Sequence, residues 1–214
     1  MTIRRMLKEG GREYGLELSD EQVDSFLFYL VELEKWNRKI NLTAIRGEKD
    51  IVVKHFIDSF SYIQGFDPAP GMQLLDMGSG AGFPALPIKI VVPSLVITMV
   101  EAVQKKATFL RHMSRMLRLQ DVEVVDKRTD GLPDTYKERY DVVTARAFAD
   151  MATALREGVR FLKPGGLVVL SRGPEEGVED AVLTSLAMTS ISRTELVLPF
   201  SDHRRAIWVF RKEA

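Results

Sequence analysis

The chain has 214 residues, 45% hydrophobic and 28% charged, enough for one α/β domain with a small helical appendage. Lys+Arg and Asp+Glu both number 30, so no global field steers it toward nucleic acid and any anion-binding surface must be local. With no cysteine and only His55, His112 and His203, disulfides, thiolate nucleophiles and cysteine-ligated zinc are excluded and no metal is expected. The apolar stretch 86–92 contains Lys89 and is too short to span a membrane. No apolar signal core follows the basic start, so a cytoplasmic protein is expected.

The first sixty residues read as helices. Ser19-Asp20-Glu21-Gln22 has the pattern of a capping box, and Val23, Phe26, Leu27, Leu30, Leu33 and Trp36 follow at helical spacing. Residues 37–43 break that period and predict a loop, and a further helix is expected over 49–62. The prolines and glycines of 65–71 mark a boundary, so a helical cap is assigned to 1–65 and an α/β domain to 66–214, packed as one compact unit. Beyond it, strands are expected at 73–77, 96–101, 122–126, 141–145 and 167–171. Helices are expected between and after them at 84–92, 104–119, 151–162 and 175–187. That alternation implies a parallel sheet covered on both faces. Two more strands, 191–198 and 206–210, are close enough to form an antiparallel hairpin and complete a seven-stranded, mostly parallel sheet.

Asp76-Met77-Gly78-Ser79-Gly80-Ala81-Gly82-Phe83-Pro84 leaves the first of these strands, turns on three glycines and enters a helix. Glycine there allows positive φ and close approach of backbone to ligand. The dinucleotide fingerprint fails at Phe83, and the P-loop Gly-Lys-Ser/Thr is missing. Asp76 disfavours a phosphate but can hold an ammonium group, so Gly78, Gly80 and Gly82 suit a ligand ending in an amino acid. The turn alone also fits a tight βα connection without a ligand. Glu101, ending the next strand, stands where this topology places an acid for ribose hydroxyls. Arg128-Thr129-Asp130 follows the third strand, within reach of an adenine edge. Glycine turn, strand-end acid and terminal hairpin together point to S-adenosylmethionine.

Absences narrow the reaction. Pyrimidine C5 methylation normally needs a cysteine, and exocyclic amines are commonly methylated with an Asn/Asp-Pro-Pro-Tyr/Phe turn, where this chain has Thr144-Ala145-Arg146-Ala147-Phe148. A ring nitrogen such as guanine N7, with no proton to lose, suits a site with no evident base, leaving positioning and desolvation to supply the catalysis.

Asn41-Leu42-Thr43-Ala44-Ile45-Arg46, His55-Phe56-Ile57-Asp58-Ser59, the glycine turn, residues 144–148 and Leu162-Lys163-Pro164-Gly165-Gly166 occur in order and at compatible spacing. From about residue 15 onward the chain resembles the bacterial small-subunit rRNA guanine-N7 methyltransferases, the glucose-inhibited division protein B family. The resemblance implies a Rossmann-like class I methyltransferase with an N-terminal helical cap. It further implies action on a guanine of 16S rRNA, free or in the small ribosomal subunit particle. Gly78, Phe83, Thr129, Asp130 and Arg146 match the family's S-adenosylmethionine contacts. Two positions depart: Ala85 replaces a usual glycine, and Thr129-Asp130 a usual Ala-Glu.

No residue is assigned as catalytic. Arg146 would touch the cofactor carboxylate or position guanine through O6, the competing reading being a salt bridge to Asp141 or Asp150. His55 and Asp58 share a helix face and read equally as a buried pair holding the cap. For RNA, Lys163, Arg172, Arg204 and Arg205 are the candidates, because strand ends and the terminal hairpin border the substrate side; Arg4, Arg5 and Arg12 would add a basic arm. Arg111, Arg115 and Arg118 read better as a solvated helix face. A monomer is expected. The competing functions are methylation of a small molecule or protein, and a non-catalytic nucleotide-responsive binding module.

Overall fold

The computed structural model describes residues 1–146 and 148–213. Among them, seven strands form one sheet in the order β3-β2-β1-β4-β5-β7-β6. β1 (Gln73–Met77), β2 (Val96–Val100), β3 (Val122–Val125), β4 (Tyr140–Ala145) and β5 (Leu162–Arg172) are parallel. β7 (Arg204–Lys212) enters beside β5 antiparallel, and β6 (Met188–Val197) pairs on its far side. The amino end of β7 and the hairpin tip therefore lie level with the carboxyl ends of the parallel strands. Leu74, Leu75, Asp76 and Met77 are all buried, as a central strand covered on both faces requires.

α5 (Ala85–Val91), α6 (Gln104–Met116), α7 (Met151–Gly158) and α8 (Asp180–Ser185) connect the strands. α8 is much shorter than the expected 175–187, because Pro174 and Gly177 keep its first half in a loop.

The cap begins with α1 (Ile3–Arg12) and α2 (Asp20–Ile40). The capping box is formed: Ser19 accepts from the Gln22 amide, and the Gln22 side chain accepts from the Ser19 amide. The expected loop over 37–43 starts only at Asn41, which leaves the helix with φ +50°. Asn37 stays helical while its side chain bonds both the N–H and the C=O of Thr43, tying the turn down from within α2. α3 (Glu48–Ile51) continues through a π-helical segment (Val52–Ile57) into α4 (Asp58–Phe60) and a 3₁₀ turn (Ser61–Gly65). Arg4, Arg5 and Arg12 do not form a basic arm. α1 packs Gly10 against Ile57, and those arginines pair with Asp20 and Asp24, with Glu9 and with Glu17. Cap residues such as Leu7, Phe26, Phe56 and Phe60 share one apolar cluster with Leu74, Val169 and Val209 of the sheet.

Candidate cofactor and substrate site

The site starts from the buried end of β1. Asp76 is wholly buried; its Oδ1 accepts from the Thr144 hydroxyl at 2.9 Å, and among the described residues its Oδ2 has no partner. Burial favours the neutral acid and pushes its pKa up to about 7, the Thr144 bond offsetting part of the effect. An orphaned carboxylate oxygen beneath a ligand turn calls for a cationic or hydrogen-bonding group above it.

The turn itself needs glycine. Gly78 has φ +66°, and a Cβ there would stand 2.8 Å from the Phe148 ring. At Gly82, with φ +95°, it would meet Leu86 at 2.5 Å and the Tyr29 hydroxyl at 2.7 Å. Glu101 binds the same turn from the end of β2: Oε2 accepts from the Gly80 amide and Oε1 from the Val103 amide, both at 2.8 Å. The carboxylate is thus held in place, 6% exposed, and keeps a lone pair on each oxygen for a diol.

Gly78, Glu101, Thr129 and Asp130 line one cavity of about 320 Å³, joined by Phe148 and Lys127. Thr129 opens a 3₁₀ turn after β3, and Asp130 pairs with Arg128 at 3.2 Å. Phe148 did not enter the expected site, although it closes the segment 144–148; its role depends on the Gly78 turn folding back onto it, which is a tertiary contact. Ala147 of that segment lies outside the described residues. The ring of Phe83 is not in this cavity. It is buried in the cap interface, stacked on His55 at 4.3 Å and on Tyr29 at 5.5 Å, with the Arg146 guanidinium 4.9 Å from its centre.

Arg146 pairs with neither Asp141 nor Asp150. It crosses from the end of β4 into the cap, donating to the Lys54 carbonyl at 3.1 Å, to Asp58 Oδ2 at 3.3 Å and to His55 Nδ1 at 2.7 Å. A guanidinium only donates, so His55 must be neutral, with its proton on Nε2 and aimed at Thr43 Oγ1 2.7 Å away. Burial, then the neighbouring Arg146 charge, lower the His55 pKa to about 3. Asp58, 2% exposed, accepts from Arg205 Nε on its other oxygen at 3.1 Å. One carboxylate therefore joins the cap to β4 and β7.

The basic candidates separate. Lys163 is corrected: it lies at the amino end of β5, opposite the glycine turn, paired with Asp141 at 2.7 Å. Both ends of a strand were counted as substrate side, whereas parallel strands present only their carboxyl ends there. Arg204 and Arg205 do lie on that side, Arg204 exposed and paired with Glu195 at 2.8 Å, Arg205 largely committed to Asp58. Arg172 ends β5 on the same side but is buried.

This strand order, with a glycine turn after β1 and an acid holding that turn from β2, defines a Rossmann-like methyltransferase that uses S-adenosylmethionine. Residues 22–207 match the GidB family, described as rRNA small subunit methyltransferase G, and the chain belongs to that family. It is 39% identical over 211 residues to the ribosomal RNA small subunit methyltransferase G of Geobacter sulfurreducens, covering 95% of this chain and 94% of that one. To the protein of the same name from Roseiflexus sp. strain RS-1 it is 43% identical over 190 residues, covering 88% and 79%. Among solved structures, the fold is similar to TrmN from Thermus thermophilus (TM-score 0.60, 18% identity, covering 82% and 53%). It is likewise similar to a chain from the complex between the Haloferax volcanii Trm112 methyltransferase activator and a methyltransferase (TM-score 0.63, 14% identity, covering 86% and 98%).

Proposed function

We propose that this protein transfers the methyl group of S-adenosylmethionine to N7 of a guanine in 16S rRNA, acting as a monomer in the cytoplasm on the small ribosomal subunit or its RNA. The observation that carries this reading is family membership over 22–207, supported by an imidazole that is not free to act as a base. His55 is the imidazole at the site, and both of its nitrogens are engaged, by Arg146 and by Thr43. Guanine N7 carries an in-plane lone pair and no proton, so a base is not needed.

S-adenosylmethionine supplies an activated methyl on a cationic sulfur. Asp76 would hold its ammonium end beneath Gly78 and Gly80, Glu101 its ribose, and Thr129 and Asp130 its adenine edge. Phe83 would act through its backbone beside Gly82, since its ring supports His55. Arg146, fixed from three directions by the cap, orients the acceptor side rather than moving a proton. Methylation at N7 would leave a cationic purine with no proton to remove, so no residue would be required to take a proton from the base. The cap, 1–65, and the α/β part, 66–214, would work as one unit through Asp58. Arg204 and Arg205, at the hairpin end nearest the site, would meet RNA phosphates.

Tritiated-methyl transfer tests this reading: the purified chain should label 16S rRNA or the small subunit, and alkaline cleavage should release the label as N7-methylguanine derivatives. Label appearing only in protein or in small molecules would overturn it.

A further inference from the structure

Arg172 is 7% exposed, and among the described residues its Nε and Nη2 have no hydrogen-bond acceptor. A buried guanidinium with two unmet donors is destabilising unless an anion or ordered water meets them. Its surroundings favour an anion. Arg172 continues the face of Val168 and Leu170, which packs on the α7 and α8 side of the sheet. Trp208, opposite Leu170 on β7, shares that face and also lacks an acceptor for its buried indole N–H. Two kinds of donor thus lie on one sheet face, next to the 173–179 segment that follows β5 and whose Val178 packs on the same cluster.

That loop is clipped in place. Glu176 Oε1 accepts from the Gly173 amide at 3.2 Å, and Arg193 donates to the Pro174 carbonyl at 2.6 Å. The other Glu176 oxygen stands 3.9 Å from Arg172 Nε, inside ion-pair range but beyond hydrogen-bond length. Glu176 is half exposed, so it is a tethered carboxylate that an incoming oxyanion can displace. β5 ends here beside β4, whose next residues carry Arg146 and Phe148.

We propose that Arg172, with the Trp208 indole, forms an oxyanion seat for a phosphodiester of the RNA strand that carries the target guanine, with Glu176 as the competing anion at its edge. The planar guanidinium fork matches phosphate geometry. The choice of RNA as the source of the anion rests on the reading above; the seat itself does not.

Replacing Trp36 by Phe leaves Trp208 as the sole tryptophan and turns it into a reporter. In W36F, inorganic phosphate should shift the Trp208 emission saturably while chloride at equal ionic strength does not, and the shift should vanish in W36F/R172M. On 16S rRNA transcribed in vitro, filter retention across a KCl series should show R172M binding about tenfold more weakly, with a salt slope shallower by ~0.7 to 1. R172K should recover part of the affinity and E176Q should bind RNA severalfold more tightly. Cofactor affinity by calorimetry should stay unchanged in all three. Should R172M not fold, E176Q carries the test, because Glu176 lies on the surface. A silent phosphate titration in W36F, or unchanged RNA affinity and slope in R172M and E176Q, would overturn the proposal. So would a loss confined to cofactor affinity, which would assign the anion to the cofactor carboxylate. If the unaltered chain retains no RNA while phosphate still titrates, the RNA reading fails and the seat stands as an anion site of another source.

Discussion

The protonation of Asp76 gives the site a pH dependence that can be worked out in advance. Burial holds its pKa near 7, against an ordinary 3.8. At ~1.4 kcal/mol per pH unit, ionising it in place costs on the order of 4 kcal/mol relative to a solvated aspartate. A cationic ligand group over Oδ2 needs the ionised form, so below pH 7 binding must expel a proton. Cofactor affinity should then fall about tenfold per pH unit between 7 and 5.5 and level off above 7. The ligand's own ammonium, ordinarily titrating at about 7.7 to 8.0, is almost fully charged from pH 5.5 to 6.5 and still mostly charged at pH 7.5, so the fall below 7 belongs to Asp76. Calorimetry in buffers of different ionisation enthalpy should register close to one proton released per cofactor at pH 6. Asp76→Asn keeps an oxygen for Thr144 but cannot ionise, so it should bind more weakly at pH 7.5 and show no slope. Equal affinity at pH 5.5 and 7.5 in the unaltered protein, or the same slope in Asp76→Asn, would refute the ammonium role.

Asp58→Asn should lower unfolding stability by about 3 to 5 kcal/mol in urea titration, because Arg146 and Arg205 lose their shared buried counter-charge; a loss below ~1 kcal/mol would show the cap to be held elsewhere. His55, neutral in the fold with a pKa of about 3 against an ordinary 6.5, refuses a proton that the unfolded chain accepts between those values. Its contribution to stability is therefore lost as pH falls below about 6.5, by at most on the order of 5 kcal/mol. Asp76 acts in the opposite sense, since its raised pKa lowers stability as pH rises from 3.8 to about 7. The informative quantity is accordingly the stability difference between the unaltered chain and His55→Gln, which should shrink between pH 7 and 4.5; a constant difference would contradict the neutral imidazole. Glu101→Ala frees the Gly80 and Val103 amides and removes the diol acceptor, so cofactor affinity should fall more than tenfold while RNA retention changes little. Equal cofactor affinity would remove Glu101 from the ribose role.

Sheet and turn were legible because their signals are local. The buried run of β1 reads directly from Leu74 to Met77, and the glycines declare positive φ where Gly78, Gly80 and Gly82 take it. Glu101 was legible from topology, since the acid at the end of the second strand has one place to go. What escaped was set by long-range contact. Asn37 looked like the start of a loop because it breaks the apolar period, yet its side chain folds the following turn back onto α2. The competing salt bridge of Arg146 was sought among the acids nearest in sequence, Asp141 and Asp150, whereas its partners, His55 and Asp58, are some ninety residues away on the cap. Lys163 was misplaced for want of direction along the strand, and Phe148, named only as the end of the segment 144–148, was not assigned to the site because only the folded turn brings it over Gly78. Arg172 was named as basic, but its burial and unmet donors belong to the packing of β5, β7 and the 173–179 loop.

The most direct test of the central claim is to map N7-methylguanine by chemical cleavage in 16S rRNA from cells with and without this protein. The expected result is one cleavage site that disappears in the deletion, returns with the unaltered gene and does not return with a Glu101→Ala variant. An unchanged cleavage pattern in the deletion would contradict the assignment of this site to guanine N7 of 16S rRNA.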